Sequence, residues 1–352
     1  MILHACKRGL VNKASGLGLT RLLGLHRRGP LVLYWHGVEE QISNPNVQAL
    51  HTPLHAFEKQ VQYLRSAFEI VSLDYLYDCL VNHHRLDPAQ IAITLDDGYR
   101  NNLKMVAPIL SAYSLPFAVF VCSNLTNERR RLPAYYLRAA IWAANKQKLR
   151  VPCLQTEFGL LNETERRTAF EVIGNTLRSA PLESVLEIVS NLQEQIAPDR
   201  WLELNDVFSS DELLTWEETK ELHSRGATIA SHSHDHCVLH DRQTGTNILT
   251  QLTVSQEMIE QHIGPCKYFA FPHGTMRDIG DAAYQSLKRS AYLMAFAGIG
   301  GPLARTIDRY LTPRLGVPDQ LDEFLYAMNT VHLKAGRYRA WANGYANENP
   351  RG

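Results

Sequence analysis

From residue 31 onward, short apolar runs alternate with stretches whose apolar positions recur at helical spacing. Segments 31–36, 70–73, 91–95 and 117–122 are short, largely apolar runs of strand length. Between the first two, Phe57, Val61 and Leu64 mark the inner face of a helix. Thr52 at its N-cap and Pro53 in its first turn predict where it starts. A helix over 75–81 precedes the third strand. Another over 101–113 follows it, with Leu103, Val106, Ile109 and Leu110 inward despite Pro108. The alternation stops between 124 and 210, a helical, polar, strand-poor stretch with amphipathic segments at 134–144 and 163–178. It reads as an inserted helical subdomain. Thr215-Trp216-Glu217-Glu218 is a capping box that opens the next helix. Strands are predicted at 228–230, 268–271, 292–296 and 311–315, with helices near 246–263, 278–290 and 319–328.

Seven or eight strands alternating with helices imply a parallel sheet. The expected class is α/β: a distorted (β/α) barrel of seven to eight parallel strands with a helical insertion. Its parts are a basic leucine-rich leader at 1–30, a first barrel segment at 31–123, the insertion at 124–210, a second barrel segment at 211–333 and a loosely ordered tail at 334–352. Active sites of such barrels lie at the C-terminal ends of the strands. The polar residues just past the strands are therefore expected to converge. They are His36, Asp96, Asp97, the run from His232 to His236, and His273.

Composition adds exclusions. With 352 residues, 45% hydrophobic and 20% charged, the chain can bury a large core and is neither disordered nor collagen-like. Lys+Arg and Asp+Glu are both 36, so no overall field favours nucleic acid. The cysteines form no CxxC pair and read as reduced core thiols, which favours a reducing, cytoplasmic setting. No run reaches the roughly 18 apolar residues of a membrane span. Residues 1–28 carry Lys7, Arg8, Lys13, Arg21, Arg27 and Arg28 among leucines, and Arg21 interrupts the one candidate for a signal-peptide core. The leader is either a basic helix packed on the domain or a segment resting peripherally on the inner face of an anionic membrane.

The chemistry concentrates in two strand-end motifs. Thr94-Leu95-Asp96-Asp97-Gly98 places two adjacent carboxylates before a turn. In Ser231-His232-Ser233-His234-Asp235-His236, the imidazoles of His232 and His236 share one face if the chain turns helical there. Two histidines and a carboxylate make a catalytic zinc set with a position left open, and a second carboxylate can serve as general base.

These motifs resemble those of the polysaccharide deacetylase family with the NodB homology domain, carbohydrate esterase family 4. The first is similar to that family's T-F-D-D-G, the second to its H-[ST]-x-x-H. Tyr34-Trp35-His36-Gly37-Val38 looks like its opening strand, Leu214-Thr215-Trp216 through Gly226 like the helix before its second motif, and Phe269-Ala270-Phe271-Pro272-His273-Gly274 like its third motif. The resemblance covers about 31–328 and implies removal of acetyl groups from an N-acetylated oligo- or polysaccharide, with Zn²⁺ or another divalent transition metal. It assigns Asp96 as general base and Asp97, His232 and His236 as metal ligands. It also implies that the backbone N–H of His273 faces the oxyanion. His36 is a further substrate-side residue. The family's third-motif arginine is replaced by Ala270, and its fourth and fifth motifs have no clear match, so the general acid stays unassigned. Arg314, after a late strand, either replaces the missing arginine or is a surface residue. Two other readings remain: a small-molecule barrel amidohydrolase using His232 and His234, and a non-catalytic glycan-binding protein on a degenerate deacetylase scaffold.

Overall fold

Eight parallel strand segments surround a narrow interior in the computed structural model, which describes residues 29–128 and 131–334. They are β1 (Leu31–Trp35), β2 (Gln90–Leu95), β3 (Phe117–Val121), β4 (Ala227–Ser231), β5 (Tyr268–Ala270), β6 (Met294–Ala297), β7 (Thr312–Pro313) and β8 (Leu315–Gly316). Their order around the sheet is β7-β6-β5-β4-β3-β2-β1-β8, and a ninth short strand, Glu69–Ile70, pairs with β2 off this path. Only Arg314 separates β7 from β8. One kinked segment thus pairs with β6 through Thr312 and Phe296, and with β1 through Leu315 and Leu33, which closes the ring. This is the expected distorted barrel.

Side chains of a strand alternate between its two faces. Leu31, Leu33 and Trp35 of β1, and Ile91, Ile93 and Leu95 of β2, pack outward in the large cluster shared with the surrounding helices. Val32, Ala92, Ala118, Phe120, Ala230 and Ala270 instead fill the interior. Leu73 and Leu76, from the helix Leu73–Val81, join that interior cluster. The inward parity of β1, β2 and β4 runs on to His36, Asp96 and His232. A period of two therefore aims three polar side chains at one mouth of the barrel.

The insertion contains the helices Pro133–Trp142, Glu163–Ser179, Leu182–Glu194 and Pro198–Val207. It has its own core, including Tyr135, Ile141, Ile173, Ile188 and Leu192. It also holds an antiparallel pair, Lys148–Val151 with Thr156–Gly159, which the polar pattern of those residues concealed.

Other local expectations are corrected. Thr52 does not cap the following helix: Pro53 is its N-cap, and the Thr52 hydroxyl donates to Asp319 Oδ1 at 2.7 Å. Segment 101–113 is not one regular helix. A π-helical turn, Asn102–Val106, precedes the α-helix Ala107–Ala112, because Pro108 has no N–H for the ladder and is tolerated only in a first turn. Cys79, Cys122, Cys237 and Cys266 are buried thiols, but Cys153 is exposed. Among the described residues no helix is long and apolar enough to cross a membrane. The leader up to residue 28 and the tail from 335 lie outside the described residues.

Candidate active site and metal centre

The ladder runs one residue beyond each strand and carries the site with it. Asp96 N–H donates to Trp35 O, and His232 N–H donates to Val121 O, both at 2.9 Å. Asp97 then adopts φ +71°, a left-handed conformation that non-glycine residues rarely take. It turns the second carboxylate away from the strand's alternation. Gly98 follows at φ +75°, where a Cβ would come within 2.9 Å of Val121 Cγ1, so only glycine fits the turn.

The segment after β4 is not helical, contrary to the condition placed on the His232 and His236 spacing. Ser233 and His236 take φ +66° and +55°, and this left-handed path brings the imidazoles together. Gln251, buried on the helix Gly245–His262, holds the loop. Its Oε1 accepts the N–H groups of His234 and Asp235 at 3.0 and 2.8 Å, and its Nε2 donates to Asp235 Oδ2 at 2.7 Å. The sequence signal for this role was a glutamine at a position of the helix face that Ile248, Leu252 and Ile259 make apolar.

Asp97 Oδ1 lies 3.3 Å from His232 Nε2 and 3.2 Å from His236 Nε2. His232 Nδ1 donates to Ala270 O at 2.8 Å, which leaves the Nε2 lone pair directed at Asp97. Asp97 Oδ1 is buried without a hydrogen-bond donor. Such an oxygen beside two imidazole nitrogens is costly unless a cation sits between them. The three residues are the one such cluster found among the described residues, and they fit a divalent ion with positions left open for water and substrate.

Arg314 is no surface residue: it is 1% exposed. From the kink between β7 and β8 its side chain runs into the barrel, with the guanidinium carbon 4.7 Å from the Tyr34 ring centroid and 5.1 Å from that of Phe120. Nη1 donates to Asp96 Oδ1 at 2.6 Å and Nη2 to Oδ2 at 2.7 Å, and Nη1 also reaches Thr94 Oγ1 at 3.2 Å. Burial alone would push the Asp96 carboxyl up. The charge and hydrogen bonds of Arg314 outweigh it and hold the group below its ordinary value.

His36 and His273 border the same cavity as Asp96, Asp97, His232 and His236. Burial lowers the pKa of His36 more than the nearby carboxylates of Asp97 and Asp96 raise it. His273 takes φ +59°, with its ring centroid 5.6 Å from that of His236. His234 stands apart from the cluster, its Nδ1 bonded to Ser123 Oγ at 2.8 Å. The His232 and His234 pair of the amidohydrolase reading is therefore not assembled.

One contact beside the site escaped the sequence reading. Arg178, at the end of the insertion helix Glu163–Ser179, reaches the loop after His273. Its Nε donates to Asp278 Oδ1 at 2.7 Å and its Nη2 to Thr275 Oγ1 at 2.8 Å, while Thr275 N–H donates to Asp278 Oδ2 at 2.8 Å. Burial pushes the Asp278 carboxyl up, but the hydrogen bonds from Arg178 and Thr275 prevail and depress it. A depressed carboxyl stabilises the fold above its unfolded-state pKa, and that stability is lost as pH falls through the folded value. Thermal melts should therefore show the wild type losing more stability than Asp278→Asn as pH drops below about 4. Parallel profiles for the two proteins would remove the ionic latch.

A sequence model described as polysaccharide deacetylase matches residues 83–292, more than half of the chain. No curated protein sequence matches. Among solved structures, the Streptococcus pyogenes deacetylase PplD, in complex with acetate, superposes with a TM-score of 0.54 at 15% identity, covering 84% of this chain and 95% of that one. IcaB from Ammonifex degensii gives 0.55 at 16% identity, over 86% and 97%. A polysaccharide deacetylase from Bacillus cereus gives 0.52 at 13%, over 85% and 68%. At these identities the likeness is one of fold.

Proposed function

Because the chain belongs to the polysaccharide deacetylase family, we propose that it is a metal-dependent hydrolase that removes acetyl groups from N-acetylated sugars of a bacterial surface polysaccharide or of its precursor. One observation carries this reading: two adjacent carboxylates have opposite surroundings. Asp96 is bound on both oxygens by Arg314, whereas Asp97 Oδ1 faces only the imidazoles of His232 and His236. The first is prepared for proton transfer and the second for a cation.

Asp97, His232 and His236 would hold Zn²⁺ or another divalent transition metal, which when bound polarises an acyl carbonyl and acidifies water. Asp96 accepts the proton of the attacking water. Arg314 holds that carboxylate in one orientation, which removes a rotational search from the reaction. The proton that Asp96 takes up is the one available to the departing amine, and His36, which borders the same cavity, is assigned to the substrate side of the site. The His273 backbone N–H is assigned to the developing oxyanion on the strength of the third-motif resemblance.

Acetate release from defined N-acetyl and O-acetyl saccharides, with and without added Zn²⁺, tests the reading. Release from the N-acetyl substrates should stop on chelation and return with zinc. His232→Ala and His236→Ala should each lose stoichiometric zinc, since two remaining ligands leave the site open to solvent competition, while His234→Ala should keep it. Zinc retained by the first two variants and lost from the third would reject the ligand set.

A further inference from the structure

The cavity over the site is walled from two sides by chemically different surfaces. It encloses about 490 Å³. The barrel side is polar and carries the groups described above. The insertion side is mostly apolar, with Phe170, Leu177, Leu182 and Val185, joined by Val238 from the loop after His236, and its polar lining is Arg138, Glu171, Asn175 and Arg178. Leu177, Leu182 and Val185 line the cavity and are only half-buried. Apolar surface kept against water is unfavourable until a ligand covers it.

The insertion is fastened in this position. Besides the Arg178 latch, Leu182 N–H donates to Gln243 Oε1 at 3.1 Å, Gln243 Nε2 to Ala180 O at 3.3 Å, and Arg138 Nε to Val47 O at 2.7 Å. The volume lies within the about 300–1,000 Å³ typical of sites for a single small-molecule-sized ligand.

Charge narrows the ligand further. Three guanidinium groups line the cavity and each already has a carboxylate: Arg314 has Asp96, Arg178 has Asp278, and Arg138 has Asp211 at 3.4 Å. None is left over for a phosphate or a sugar acid, and the Glu171 carboxylate, also in the lining, further disfavours an anion there.

We infer that the substrate is a single N-acetylated sugar unit bearing an uncharged apolar aglycone, with the aglycone lying on the insertion wall. This rests on the deacetylase reading and deepens it. The wall, rather than the barrel, then sets specificity. Leu177 and Val185 are the residues whose contact with the aglycone matters.

The test uses the full-length, zinc-loaded protein. Acetate release is compared for methyl, butyl and octyl N-acetylglucosaminides and for an N-acetylglucosamine polymer. Each fully buried methylene favours binding by about fourfold. The kcat/KM should therefore rise at least about tenfold from methyl to octyl, with internal residues of the polymer cut more slowly than the octyl glycoside. Leu177→Gln and Val185→Gln, checked for folding by circular dichroism, should shrink the octyl-to-methyl ratio. Equal rates along the alkyl series, or faster release from the polymer interior, overturn the inference while leaving the deacetylase reading intact. Acetate release from none of the substrates overturns both.

Discussion

Asp96→Asn is expected to lower acetate release about 10²–10⁴-fold, the usual cost of removing a general base, while zinc remains at one per chain. Asparagine keeps the shape of the side chain but cannot take the proton from the attacking water. Asp97→Asn should behave differently. It removes the charged oxygen that faces His232 and His236, so metal is lost and added Zn²⁺ restores part of the activity. Zinc content and acetate release would be measured for both variants over a range of zinc concentrations. If Asp96→Asn is the one that loses metal and recovers with zinc, the roles are exchanged. If neither change slows release, the mechanism fails.

The second large effect concerns stability. Arg314→Met leaves the Asp96 carboxylate buried with its bidentate partner gone. Breaking a buried ion pair from one side typically costs about 3–5 kcal/mol, most of it the desolvation of the group left behind. Denaturant midpoints should fall accordingly. The double variant Arg314→Met, Asp96→Asn should recover much of the loss, because the stranded charge is gone. Arg314→Lys should recover part of the stability but little of the rate, since one ammonium cannot hold both carboxylate oxygens in the planar geometry of a guanidinium. A melting curve for Arg314→Met that coincides with the wild type would show that the pair contributes nothing to the fold.

Much of the site was legible because it obeys local rules. A period of two along β1, β2 and β4 puts His36, Asp96 and His232 on the inward face, and the rule that barrel chemistry sits past the strand ends picks out those residues. The capping box at Thr215 was likewise readable, and it is present with both of its hydrogen bonds. Where the sequence reading failed locally, a distant contact or a backbone constraint prevailed. Thr52 bonds Asp319 instead of capping its helix, and a proline converted one predicted helix into two pieces.

By itself, the sequence determined the class of the fold, the order of its strands along the chain, and which polar residues stand at the strand ends, since each follows from spacing within a few residues. Only the tertiary structure decided what those residues touch. Arg314 meets Asp96 across 218 positions of sequence because the kinked β7 and β8 segment closes the ring between β6 and β1, and a lone arginine carries no periodicity that announces such a partner. His236 reaches Asp97 through left-handed residues rather than a helical turn. Arg178 finds Asp278 because a separately packed insertion settles over the barrel mouth. These contacts depend on how distant elements close on one another. That is settled by the burial of the whole core and by no local pattern.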